Sequence, residues 1–143
     1  MAGRDEELVR GVLAELSAAM KAGDAAAVVA LYTADAVRFT LAPPLGSVGV
    51  AVGEFAAWLA TFDGPVDYEI RDLAVVVGGE LALCHSVNRL SATPLGMSEG
   101  FDLWFRSTVG LRLVDGSWRI AHEHTSTPFY MDGSFRAAVD LKP

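Results

Sequence analysis

Three residues of one type in this chain can move a proton near neutral pH or bind a polar ligand, and two of them cluster toward its end. His122 and His124 stand two apart in Trp118-Arg119-Ile120-Ala121-His122-Glu123-His124-Thr125-Ser126, and His85 is the third histidine. Histidine titrates near neutrality and serves as an acid, a base or a metal ligand. The spacing of two puts His122 and His124 on one face of a strand. Asp115-Gly116 ahead of them is the dipeptide that a two-residue type I′ hairpin prefers, because both central residues need φ > 0. A regular ladder from that turn pairs Leu113 with Trp118, Leu111 with Ile120, Val109 with His122 and Ser107 with His124. The apolar pairs mark the core face, so both histidines are expected to look inward, with Ser107 as a hydrogen-bond partner. His85 is in phase with Leu81, Leu83 and Val87 and is expected on the same interior face. The imidazoles then either satisfy neighbouring groups or contact a ligand in a lined cavity. Three converging histidines raise a metal site, but no carboxylate is in phase to support one, so no metal is expected.

The elements that would position these residues follow from periodicity. Asp5 caps a helix through about Ala22, with Leu8, Val12, Leu16 and Met20 on one stripe. Gly23 ends it, and Asp24 opens a second helix over 24–32. Val37 to Leu41 reads as a short strand before Pro43-Pro44. A third helix spans 53–62, with Phe55, Trp58, Leu59 and Phe62 on one side. Strands over 66–77 and 81–91 and the closing hairpin complete an α+β chain, three helices on a curved, mostly antiparallel sheet. Tyr32, Phe39, Trp58, Trp104 and Tyr130 are candidate aromatic walls. Asp102, Arg106, Thr108, Glu123 and Thr125 are expected on the outer sheet face, as a dimer surface.

Composition narrows the classes. The 143 residues suit one domain with a sizeable core. A net charge of −7 and no basic stripe argue against nucleic acid. No apolar run approaches the roughly 20 residues of a membrane span, and the polar MAGRDEEL start is unlike a signal peptide. One cysteine, Cys84, excludes an internal disulfide and suits a reducing compartment, so a cytoplasmic protein is expected. The 52% hydrophobic content is high for this size and points to a cavity lining or an apolar face buried in a homodimer.

The order α-α-β-α-β-β-β-β, with Leu31-Tyr32-Thr33-Ala34-Asp35-Ala36-Val37 early and the Trp118-to-Ser126 segment late, resembles the NTF2-like superfamily. It is most similar to that superfamily's SnoaL-like and ketosteroid-isomerase-like small bacterial proteins. The same ending, His-x-His-x-Ser with a nearby proline, also resembles the association domain of calcium/calmodulin-dependent kinases. The resemblance covers nearly the whole chain. It implies a cone-shaped α+β barrel with one deep pocket and dimerisation through the outer sheet face. It also gives Asp35 a candidate role as base, since the family commonly carries an acid there. Fold alone does not name a reaction, because such folds host isomerases, cyclases, dehydratases and non-catalytic modules. Steroid isomerases of this fold place their catalytic aspartate ahead of Pro-x-Gly on the first strand. This chain has Thr40-Leu41-Ala42-Pro43-Pro44-Leu45-Gly46 instead. The expected function is binding of a small apolar or aromatic molecule, with cofactor-independent acid/base activity through His122, His124 and Asp35. His85, Tyr32, Phe39, Trp58 and Ser107 are expected to line the site. The alternative is a non-catalytic ligand-binding or dimerisation module.

Overall fold

The structure, a computed structural model, describes residues 2–143. Helix α1 spans Ala2–Ala22, three residues ahead of the expected Asp5 start. Its buried stripe is Val9, Leu13, Leu16 and Met20 rather than one starting at Leu8, which is exposed. Helix α2 is only Ala25–Val29, and Asp24 caps it by accepting from the Ala27 N–H at 3.0 Å. It stops short of the expected Tyr32 because the chain turns extended there and pairs as a strand. Strand β1 runs Tyr32–Phe39, followed by the two-residue β2 at Ser47–Val48 and helix α3 at Val52–Leu59. Strands β3 (Asp67–Gly78), β4 (Leu81–Ala92), β5 (Phe101–Val114) and β6 (Ser117–Ser126) form the long meander.

These strands make one six-stranded sheet in the order β2-β1-β6-β5-β4-β3. Only β1 and β6 pair in parallel. The sheet is curved and not closed, and the helices pack on its concave face, as in the NTF2-like cone. The core forms where the α1 stripe meets Val28, Val109, Leu111, Trp118 and Ile120. Asp115 and Gly116 both have positive φ, 51° and 81°, as the type I′ turn demands. Near that turn the expected pairs Leu113–Trp118 and Leu111–Ile120 form.

Beyond Leu111 the ladder slips by one residue. The next pairs are Gly110–His122, Val109–Glu123, Thr108–His124 and Ser107–Thr125. Ala121 is the extra residue of a β-bulge, so two residues of β6 occupy the place opposite Gly110. A slip of one exchanges the two faces of a strand. His122 and His124 therefore turn to the outer face, while Glu123 and Thr125 turn inward. This corrects the expected inward histidines and the expected outward Glu123 and Thr125. Strand β4 is also inverted from expectation. Ala82, Cys84, Asn88, Leu90 and Ala92 are its buried residues, and Leu81, Leu83 and His85 are exposed. Both parities of β4 carry apolar side chains, and the pairing of Cys84 with Val109 and Asn88 with Phe105 decides which one faces the core.

Candidate functional site

The open end of the cone holds a cavity of about 470 Å³, between the concave sheet face and helices α1 to α3. Its walls are aromatic and aliphatic. Phe55 and Trp58 come from α3 and Phe62 from the segment after it, with centroids 5.5 Å apart for the first pair and 5.2 Å for the second. Phe62 continues to Phe101 of β5 at 6.0 Å. Helix α3 contains no buried residue although its sequence is largely apolar, because its apolar side turns to the cavity rather than to solid core. A concave, mostly apolar site with a few convergent polar groups is the usual form of a small-molecule pocket.

Glu123 is the centre of the polar part. It is 8% exposed and is the one buried carboxylate among the described residues. Tyr32 Oη donates to Glu123 Oε2 at 2.6 Å, and Arg38 Nε donates to Oε1 at 2.5 Å. The Arg38 guanidinium also lies 5.5 Å from the Tyr32 ring centroid. Charge-assisted bonds of this kind hold a carboxylate in one orientation. A carboxylate offers about four lone-pair sites, so two donors leave acceptor capacity on both oxygens. Burial first, and then the adjacent carboxylate, pushes the Tyr32 hydroxyl well above the ordinary tyrosine range. Burial works against the Arg38 charge, but the Glu123 carboxylate outweighs it and raises the guanidinium.

A second polar line reaches the cavity from β3 and β4. Ser86 Oγ donates to Asn88 Oδ1 at 2.7 Å, and Asn88 Nδ2 donates to the Tyr68 hydroxyl at 2.9 Å. Burial keeps Tyr68 protonated far into the alkaline range. Tyr68 packs near Phe105, with centroids 6.4 Å apart, and both rings line the cavity.

Of the residues expected from the sequence to form the site or its aromatic walls, Tyr32 and Trp58 line this cavity. The others lie elsewhere. His122 donates through Nδ1 to the Val37 carbonyl at 2.7 Å, and Phe39 meets His122 and His124 edge-on at 5.1 and 5.5 Å. His85 is exposed and, like His124, pairs with Thr108. Phe39 thus belongs to the outer face with all three histidines. Asp35 is on the outer side of β1, its side chain 72% exposed and 3.2 Å from Arg112. The neighbouring Thr33 hydroxyl, and then the Arg112 charge, hold its carboxyl below the usual range. Ser107 is buried opposite Thr125, outside the cavity lining. Trp104 sits under the Arg71 guanidinium at 5.0 Å, and Tyr130 is bonded to Asp140. Among the described residues, no group of three or more His, Cys, Asp or Glu is close enough to hold a metal ion.

Sequence reasoning missed Glu123, Arg38 and Tyr68 as site residues. One signal was present: Gly110 interrupts an apolar strand, and an isolated strand glycine often marks a bulge. A bulge there reverses the parity of everything after Ala121 and brings Glu123 inside.

No curated protein is significantly similar to this chain. Among solved structures, an NTF2-like protein of unknown function from Pseudomonas putida KT2440 is 30% identical, with a TM-score of 0.87 over 100% of this chain and 99% of that one. A proposed scytalone dehydratase from Novosphingobium aromaticivorans is 18% identical, with a TM-score of 0.75 over 94% and 91% of the two chains. A ketosteroid isomerase-like protein from Erwinia carotovora atroseptica is 24% identical, with a TM-score of 0.69 over 85% and 95%. The last two share the fold at identities too low to carry a function. The SnoaL-like domain model matches residues 9–130, and with the cone, the concave-face cavity and the full-length likeness to the Pseudomonas protein, it makes this chain a member of the SnoaL-like domain family within the NTF2-like superfamily.

Proposed function

We propose that the cavity binds a small, largely aromatic molecule and moves a proton on it without a cofactor, in the manner of an isomerase or dehydratase. The carrying observation is Glu123, a buried carboxylate oriented by Tyr32 and Arg38 inside an aromatic-walled cavity. Glu123 would take a proton from a carbon next to the ligand's carbonyl and return it at another position. Positioned carboxylates contribute roughly 10²–10⁴-fold to such transfers. The names of relatives that mention a dehydratase or an isomerase-like protein are in keeping with this chemistry.

The test is hydrogen–deuterium exchange at the acidic C–H of 2-tetralone in D₂O, followed by NMR. The wild type should exceed the buffer rate, and Glu123→Gln, of nearly the same shape, should lose about a hundredfold or more of that excess. A second reading rests on the same geometry. Both Glu123 oxygens already accept a bond, as they would in a module that only binds its ligand. Saturable binding of 2-tetralone with exchange no faster than buffer would decide for that module.

A further inference from the structure

The two polar lines of the cavity differ in direction. On the β1–β6 side, Tyr32 and Arg38 donate and Glu123 accepts. On the β3–β4 side the bonds run Ser86 to Asn88 to Tyr68, each donating to the next. The Ser86 hydroxyl holds Asn88 Oδ1, which turns the amide nitrogen toward Tyr68. The Tyr68 oxygen is then occupied as an acceptor, and its own proton has no acceptor among the described residues. Asn88 is 3% exposed, so its amide is shielded from water.

We infer that Tyr68 is the ligand's oxygen-binding donor, and that Ser86 and Asn88 act as positioning residues which direct its O–H into the cavity. The ligand class follows from this and rests on the reading that the cavity binds a small molecule. A donor with a free proton selects an acceptor oxygen, and a carbonyl is the strongest neutral one. The cavity's one buried anion is paired with Arg38, and the other charged side chain lining it, Glu54, is negative. That balance favours a neutral ligand over an anion. The ligand is therefore a neutral aromatic carbonyl compound whose oxygen meets Tyr68. Burial supports the donor role, because it keeps the hydroxyl protonated.

The experiment compares two probes of the same shape, 2-acetylnaphthalene and 2-isopropenylnaphthalene, in which C=CH₂ replaces C=O. Binding is read by quenching of tryptophan fluorescence. The wild type should prefer the carbonyl probe. Tyr68→Phe keeps the ring beside Phe105 and should lose about tenfold in affinity for the carbonyl probe alone, the size of one hydrogen bond. Asn88→Asp offers Tyr68 an acceptor, captures its proton and should lose the same preference. Ordinary loss of packing would weaken both probes equally, so the ratio between them isolates the bond. Equal binding of both probes by the wild type, or an unchanged ratio in Tyr68→Phe, would overturn the assignment while leaving the binding reading intact. An unchanged ratio in a folded Asn88→Asp would overturn the positioning role. Failure of both probes to bind the wild type would overturn the binding reading and this assignment together.

Discussion

Tyr32 and Tyr68 place two hydroxyls where their ionisation is opposed by burial, and at Tyr32 also by a neighbouring carboxylate. In the unfolded chain each ionises near pH 10. The folded chain keeps those protons to higher pH. Between the two values the folded state binds more protons than the unfolded state, so stability falls as pH rises. The contribution is complete below about pH 10 and is lost above it, at up to about 1.4 kcal/mol per pH unit for each tyrosine. Urea midpoints measured from pH 9 to 11 should decline accordingly, and less steeply in Tyr68→Phe. A flat profile would contradict the buried placement of these hydroxyls. The same burial pushes the Cys84 thiol up to about 11, where it holds little thiolate at neutral pH. Iodoacetamide at pH 8 should leave Cys84 unmodified until the protein unfolds.

Strand β6 decides which chemistry the cavity holds. Its first part follows the Asp115–Gly116 turn, and its second part follows the bulge at Ala121. Removing Ala121 from the chain gives a specific outcome. Ile120 and Glu123 would then stand two apart, with His122 between them, so Glu123 stays inward without a bulge. The shortened protein should fold and keep Tyr32 and Glu123 in contact, at a cost of about 1 kcal/mol, or roughly 4 °C in Tm. By contrast Ile120→Ala empties a fully buried site and should cost about 2–5 kcal/mol. A deletion that destabilised more than Ile120→Ala would show that the bulge's bend, rather than its parity, holds β1 against β6.

For the whole molecule, the helices cover one face of the sheet and leave the other open. That outer face exposes Val37, Phe39, Val76, Leu81 and Leu83 beside His85, His122 and His124. An apolar face of this kind is costly in water and fits an isologous pairing of two copies. Sedimentation at micromolar concentration is expected to give two chains rather than one of 15.2 kDa, and Leu83→Glu should return a monomer that still binds ligand. A wild type that sediments as one chain would end the homodimer expectation. Among the described residues no helix is long and apolar enough to cross a membrane.

Periodicity and turn chemistry by themselves determined the order of the elements apart from the two-residue β2, the α+β class and the hairpin at Asp115–Gly116, because these are local: 3.6-residue and two-residue spacing, glycine at positive φ, aspartate at a helix start. They also placed Tyr32 and Trp58 near the cavity. The faces of β4 and of the end of β6 were decided only by tertiary pairing. In β4 both parities are apolar, so hydrophobicity could not choose between His85 and Asn88 as the inward residue. In β6 a single extra residue exchanged His122 and His124 for Glu123, since side chains alternate with a period of two and a slip of one reverses every residue that follows. Where two strands pair is a long-range property, and the identity of the inward carboxylate belongs to that pairing rather than to the residues around it.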